Sequence, residues 1–394
     1  MRVVLTVSAL AGTAGGAQKS VIELANELAE RGHEPTLVGL EFPETPQEPP
    51  FYDVDPRVEV RTLTRVRMRP RHGRWALGDD RRRWRQAHRP MRRELRRILR
   101  DARADVAVGF LPSTFTHLAL TARRARVPYV VANRNDPAVD YTAARYSPNP
   151  YDVALRGWAA AHAAANLVQI PEYVDDFPPE VRRRTRVIPN PVAAPQGNVS
   201  RRSKTIVSVG RLEPVKGHAL VIEGFAAAGT GLADWQLDVY GEGAEHDALE
   251  TLISRLGLAG RVELKGVHRD VADRVASASI YAAGSTFEGF SRALGEAMSV
   301  GTPAVVLDEC RSNASLVRRS GGGMVVDASA GAMGEAFATL AGDPALRRTL
   351  GEHATTGAAA FAPKAVYDAW EDALQRAAAR APVHGGRPPQ GDPQ

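Results

Sequence analysis

Two carboxylates separated by seven residues, Glu288 and Glu296, lie in the stretch YAAGSTFEGFSRALGEAMSVGTP (281–303). Glu288 falls in a glycine-flanked turn, and Glu296 one to two turns into the helix that follows. Ser291 offers that helix a hydroxyl N-cap. Ala293, Leu294, Ala297 and Met298 recur at helical spacing, and Gly301 and Pro303 stop it. Acids so placed need not share a helical face. They could frame a cavity floored by a helix N-terminus, where unbonded amides and the dipole favour an anion. A molecule carrying a phosphate and hydroxyl-rich groups suits that chemistry; a solvated helix with two surface glutamates is the plain alternative. Two cations in one strand-to-helix loop, Arg211 and Lys216, could neutralise a diphosphate. No Asp-x-Asp metal motif is then needed, and no credible metal cluster is found, so no metal or other cofactor is expected.

The elements that position these groups fall into two β-α series. Val3–Val7 reads as an apolar strand that runs through the glycine turn Ala11–Gly16 into a helix over Ala17–Arg31, with Thr36–Leu40 the next strand. Gly15 and Gly16 would let a ligand approach the backbone where open parallel sheets bind ligands, although such turns also occur without any phosphate. A proline-rich loop over 41–60 ends in a strand; Asp105–Phe110, Val127–Ala132, Asn166–Ile170 and Arg186–Ile188 follow. Beyond Val127–Ala132 stand Asn133, Arg134, Asn135 and Asp136, either a capping turn or a ligand-facing cluster. AAPQGNVSRRS (193–203) lacks large apolar residues and reads as a linker. The second series has strands Thr205–Val209, Trp235–Tyr240, Arg261–Leu264, Ser279–Ala283, Pro303–Leu307 and Met324–Val326. Helices His218–Ala227, Glu245–Leu256 and Val271–Ala278 lie between them. The fold class is α/β, two doubly wound domains over 1–191 and 192–361. A helix at about 362–381 is expected to pack back on the first domain, and the Pro/Gly-rich tail 382–394 to be disordered.

At 394 residues, 44% hydrophobic and 24% charged, the chain has the makings of two ordinary soluble cores. No run approaches the ~18 apolar residues of a spanning helix, and the N-terminal run is too short for a signal peptide. One cysteine, Cys310, excludes an internal disulfide and fits a reducing compartment; no Cys–His pairing is evident beside it. A cytoplasmic protein is expected. The charge is local: residues 61–100 hold sixteen arginines and three acids, a balance of +13 in a chain whose total is +6. Pro90 suits a first helical turn, after which Met91, Leu95, Ile98 and Leu99 form an apolar stripe among the arginines. Those arginines are either the solvated face of a crossover helix or a patch for anionic lipid headgroups or a phosphate-bearing acceptor. Nucleic acid is not expected, since no binding module is recognisable and only Trp75 and Trp84 are aromatic there.

The motifs VGRLEPVKG, VYGEGAE, LKGV and FEGFSRALGEAMSVGTP, in this order and at these spacings, resemble retaining glycosyltransferases of family 4. That family has the GT-B fold of two facing Rossmann-like domains with a cleft between them. The early GGA turn, its helix ending in RGH, and PNPV before the linker extend the resemblance. Arg134–Asp136 and the sequence around Asp308–Cys310 look most like bacterial members that build surface polysaccharides or lipid-linked oligosaccharides. The resemblance implies that Arg211 and Lys216 bind the diphosphate of a nucleotide-sugar (UDP- or GDP-linked) and that Glu296 bonds the ribose hydroxyls. Glu288 and the amides of Gly289, Phe290 and Ser291 would hold the donor sugar. Lys265, Gly266 and Val267 would lie against the base, Gly210 would line the diphosphate, and Gly15 and Gly16 would approach it from the other domain. The acceptor would dock on the N-terminal domain.

Ser315 stands where the family has a further glutamate, Arg292 and Gly295 where it has apolar residues, and His117 is the one candidate for its N-terminal histidine. The expected activity is metal-independent, retaining transfer to a glycan or lipid-linked acceptor, at the inner face of the plasma membrane. Alternatives are transfer to a small natural product, or a nucleotide-sugar-binding partner subunit that has lost catalysis.

Overall fold

Apolar runs such as RVVLTV and VAVGF are too short for helices and lack the alternation of a half-solvated strand. They form parallel strands covered on both faces. The computed structural model describes residues 1–10, 15–42, 48–66, 77–141, 150–193, 204–268 and 271–380. The turn residues 11–14, the linker residues 194–203, Trp75 with the arginines from 67 to 74, and the tail 382–394 lie outside them.

Two compact units result: Met1–Ile188 joined by the chain from Tyr367 on, and Pro189–Val366. In the first, β1 (Arg2–Val7), α1 (Gly16–Glu30), β2 (Glu34–Glu41) and β3 (Glu59–Thr64) lead to two arginine-rich helices, α2 (Leu77–Ala87) and α3 (Arg89–Asp101). There follow β4 (Val106–Phe110), α4 (Pro112–Ala125), β5 (Tyr129–Ala132), α5 (Pro137–Asp140), α6 (Pro150–His162), β6 (Ala165–Val168), α7 (Pro179–Arg182) and β7 (Thr185–Val187). All seven strands pair in parallel, in the order β3-β2-β1-β4-β5-β6-β7.

The second unit runs β8 (Thr205–Val209), α8 (His218–Ala227), β9 (Gln236–Tyr240), α9 (His246–Arg255), β10 (Val262–Gly266), α10 (Val271–Ser277), β11 (Ile280–Ala283) and α11 (Arg292–Ser299). It ends with β12 (Ala304–Leu307), α12 (Arg311–Ser320), β13 (Gly323–Val326), α13 (Ala330–Gly342) and α14 (Pro344–Ala358). Its parallel sheet has the order β10-β9-β8-β11-β12-β13, and its core gathers Ile206, Phe225, Leu237, Ile280, Val305 and Phe337. The last helix, α15 (Pro363–Ala378), belongs to the first unit from Tyr367 on. Arg31 holds both Asp368 and Glu371 at 2.8 Å, and Trp370 stacks on Phe110 at 5.6 Å. No described helix is long and apolar enough to cross a membrane.

Strand order reverses between β8 and β11, and ligands of open α/β sheets bind at the carboxyl ends of such a pair. There the two connecting loops touch backbone to backbone. Gly217 sits at φ +62°, and a Cβ on it would fall on the carbonyl oxygen of Gly284; one on Gly284 would fall on that of Gly217. The amide of Thr286 donates to the carbonyl of Val215 at 3.1 Å beside this contact. Only glycine permits so close an approach. Gly284→Ala should therefore destabilise the second unit by about 2–4 kcal/mol, whereas Gly331→Ala, which meets nothing within 4 Å, should leave it unchanged or slightly stabilised. Melting temperatures of the two variants check this; equal values would remove the contact from any structural role.

Candidate functional site

The loop after β8 descends through a 3-10 turn, Pro214–Lys216, whose last residue precedes the left-handed Gly217. That turn aims the Lys216 side chain across the glycine contact, where its ammonium forms an ion pair with Glu288 Oε1 from the loop after β11. The two side chains are only 19% and 15% exposed, so water screens the pair little. The Ser285 hydroxyl also donates to Glu288 Oε1, at 3.2 Å, and the Ser312 hydroxyl donates to the Glu288 carbonyl at 3.2 Å. Glu288 is thus fixed from three elements. Ser291 caps α11, accepting from the Leu294 amide at 3.3 Å.

Charge radiates from this pair into buried neighbours. Tyr281 lies fully buried in β11; burial first, then the charges of Glu288 and Glu296, push its phenol above the ordinary range. The Cys310 thiol, 1% exposed and 3.7 Å from Ser312 Oγ, is raised to about 11 by burial with Glu288 adding to it. His218 opens α8 with its ring buried and Nδ1 3.2 Å from Ser208 Oγ. Burial, with the nearby Lys216 charge, lowers it to about 4, so it is neutral at pH 7. A Cβ on Gly210 would lie 3.3 Å from Lys216 Cδ and 3.4 Å from His218 Nε2, so the strand end is narrow because Gly210 leaves room for both.

The remaining sequence-derived residues separate into groups. Arg211 is 66% exposed and pairs with Glu213 two residues on, apart from the Lys216–Glu288 pair. Glu296 is half-buried in the second turn of α11. Val267 is 70% exposed at the end of β10, and Lys265 pairs with Glu263 and reaches Asp238 at 3.6 Å. Gly289 and Phe290 lead into α11, but the Phe290 ring is buried edge-on against Phe361 at 5.1 Å, and its carbonyl accepts from Asn190 at 3.4 Å. Its side chain belongs to the core, so it cannot face a ligand. Gly295 has a packing reason: a Cβ there would come within 2.7 Å of Val192 Cγ2 and 3.4 Å of the Phe290 ring. Arg292 stays half-buried on the same helix.

Ser285, Ser312, Ser208, His218 and Tyr281 complete the site without any signal in spacing. Ser315 is buried on α12, next but one to Asn313, which is fully buried with neither end of its amide hydrogen-bonded among the described residues. A buried amide left so is uncommon in a folded protein.

In the first unit, Gly15 is the extended residue before α1 and Gly16 its first residue, with open space at its Cα. Asp136 caps α5, accepting from the Ala138 amide at 2.9 Å, and Asn135 reaches Asp140 at 3.5 Å. Arg134 is buried over the rings of Phe110 and Trp370, 5.9 Å from each. His117 stacks on Trp84 at 5.0 Å and lies 4.7 Å from His88, inside the α2–α3–α4 packing; burial and the charges of His88 and Arg92 hold it far below its usual range. Among the described residues one trio, His246, Asp247 and Glu250, brings three potential metal-ligand atoms together, on the outer face of α9. Such i, i+1, i+4 charges are ordinary surface ion pairs.

The family described as "Glycosyl transferases group 1" matches residues 193–356, and "Glycosyl transferase 4-like domain" matches residues 15–191. An exopolysaccharide phosphotransferase of Streptomyces coelicolor is 36% identical over 48% of this chain and 20% of its own length. A Campylobacter jejuni transferase, N-acetylgalactosamine-N,N'-diacetylbacillosaminyl-diphospho-undecaprenol 4-alpha-N-acetylgalactosaminyltransferase, is 32% identical over 42% of this chain and 44% of its own. The chain thus spans less than half the length of these two relatives. The crystal structure of Anabaena HepE with UDP covers 95% of the chain and 100% of its own at a TM-score of 0.72 and 19% identity. The GT-B expectation holds at the level of two parallel-sheet α/β units.

Two measurements test these surroundings. Cys310, buried and raised to about 11, should resist thiol reagents in the native protein at pH 8 and react fully once denatured; rapid native labelling would contradict its placement. His218 takes a proton near 6.5 when unfolded but near 4 when folded. Its contribution is therefore complete above pH 6.5 and lost as pH falls toward 4, on the order of 2–3 kcal/mol. The drop in melting temperature between pH 7 and about 4.5 should be smaller in His218→Gln; an unchanged drop would place the titration elsewhere.

Proposed function

Because the chain belongs to the group 1 and 4-like glycosyltransferases, we propose that it transfers a sugar from a nucleotide-sugar to a glycan or lipid-linked acceptor in bacterial polysaccharide assembly. The observation that carries this reading is the Lys216–Glu288 pair, held across the glycine contact at the sheet's switch point. The UDP bound by the Anabaena neighbour and the diphospho-undecaprenol acceptor in the Campylobacter relative's name support the substrate classes.

In this reading the donor's diphosphate lies along the loop from Gly210 to Gly217, and Lys216 turns from Glu288 toward it as negative charge grows on the leaving group. The bond from the anomeric carbon to the diphosphate oxygen breaks, its electron pair leaving with the diphosphate. The acceptor oxygen bonds the same carbon on the same face, and its proton passes to a phosphate oxygen. Glu288 accepts hydrogen bonds from the donor sugar, and Glu296 from the ribose. Arg211, exposed and paired with the neighbouring Glu213, swings onto the diphosphate. In this reading cations and amides supply the stabilisation without a metal ion, same-face attack makes the transfer retaining, and it takes place in the cytoplasm at the membrane's inner face.

A panel of UDP- and GDP-sugars, screened by melting temperature, should contain a donor that stabilises the protein through preferential binding to the folded state. Lys216→Ala should abolish that shift and cut transfer by about 100-fold or more, while Glu288→Ala should keep nucleotide binding and lose transfer. Full transfer by either variant would sink these roles. Donor binding without turnover by the unaltered protein would favour the non-catalytic partner subunit instead.

A further inference from the structure

The strongest concentration of positive charge lies in the first unit, in a concavity of about 480 Å³ between α2, α3 and α4. Helix α3 presents Arg89, Arg92, Arg93 and Arg96 on one face, at i, i+3, i+4 and i+7. Helix α2 adds Arg82 and Arg85, and α4 adds Arg124 above Leu120 and Thr121. Gln86 completes the lining, and no carboxylate contributes to it among the described residues. The acids of α3 are committed elsewhere: Glu94 and Asp101 both flank Arg97, which is outside the concavity.

Seven guanidinium groups around one hollow repel one another; five lie exposed on its rim, and the cost is greatest for the half-buried Arg92 and Arg96. Arg92 shows it directly. It is held over the Trp84 ring at 4.9 Å and donates from Nη2 to the Arg85 carbonyl at 2.7 Å. Its Nη1 is buried with no hydrogen-bond partner in the described structure. Burial, then the charges of Arg124 and Arg85, lower its pKa to about 10. Such strain is relieved by an anion bearing several acceptor oxygens, to which arginine forks bond in pairs.

We propose that this hollow is a binding site for a compact diphosphate group, separate from the donor site. Its volume suits a small polyanion. No aromatic lines it among the described residues, and Trp84 beneath Arg92 is buried against His117, so the stacking platform that single-stranded nucleic acid would use is missing. A flat anionic membrane would reach the rim arginines and leave Arg92 unanswered. The diphosphate could belong to a soluble anion or to a lipid-linked acceptor. Only the second source rests on the function proposed above.

Inorganic pyrophosphate, titrated into the full chain at low salt with calorimetry and intrinsic tryptophan fluorescence as readouts, tests the site. Binding should weaken at least tenfold in Arg93→Ala/Arg96→Ala, with an unchanged melting temperature. It should persist in Arg97→Ala and in Lys216→Ala, which separates this site from the donor site. Absence of binding, or equal weakening in Arg97→Ala, would overturn the proposal. Phosphatidylcholine vesicles carrying a polyprenyl diphosphate form the second arm. If they displace pyrophosphate the ligand is a lipid diphosphate, and if they do not it is a soluble one; either result supports the hollow. If phosphatidylglycerol vesicles of equal charge bind the unaltered protein more tightly than the double variant, and pyrophosphate binds neither, the arginines form only a membrane contact and the proposal fails.

Discussion

The backbone contact between Gly217 and Gly284 is the constraint on which the second unit's chemistry depends. Two loops from neighbouring strands of a parallel sheet ordinarily diverge, because each must leave room for its own helix. Here neither residue carries a Cβ, so the carbonyls cross within the space a methyl group would fill. The Thr286 amide bonds the Val215 carbonyl at the same point. A similar closure binds the loops after β8 and β9, where a Cβ on Gly241 would meet the Gly210 carbonyl and the Leu212 amide donates to the Glu242 carbonyl at 2.8 Å. Three strand ends are thereby drawn into one edge, and Lys216 meets Glu288 across it.

That meeting governs the local electrostatics. An ammonium and a carboxylate shielded from water attract strongly, yet each has lost hydration, so hydrogen bonds must make up the difference. Glu288 receives them from Ser285 and, through its carbonyl, Ser312. The surrounding titratable groups are held in their neutral forms: His218 by burial and the lysine's charge, Cys310 and Tyr281 by burial and the glutamate's. The outcome is one shielded ion pair among neutral buried groups, with the half-buried Glu296 the next carboxylate along α11.

Much of this was legible in the chain itself. The second series of strands lies within one or two residues of where apolar runs and glycine stops put it, and Ser291 caps α11 as its position before ALGEAM suggests. Glycine and proline punctuate those turns, and a turn needing positive φ leaves its residue in the sequence. What sequence could not show is which loops touch. Nothing in the spacing of Glu288 says that it pairs with Lys216 rather than Arg211, or that Phe290 turns its ring to Phe361. Helix α4, PSTFTHLALTARRA, has three threonines and a serine against its helicity, so its existence follows from packing on α3 and α6. The arginine hollow needs α2, α3 and α4 placed together and was beyond a reading of charge alone.

The two basic regions differ in a way that bears on how each would meet an anion. In the second unit three described cations at the strand ends each come with an acid: Lys216 with Glu288, Arg211 with Glu213, Lys265 with Glu263 and Asp238. An anion arriving there must exchange for a carboxylate that stays tethered and can return, so occupancy is reversible and the displaced acid becomes available to hydroxyl groups. In the α2–α3–α4 hollow no carboxylate lines the space among the described residues. An anion entering it relieves repulsion among the guanidinium groups, which favours retention over turnover. Exchange suits a donor consumed at each cycle. Retention would suit a group that anchors a longer molecule while its far end reacts, as the diphosphate proposed for the hollow would.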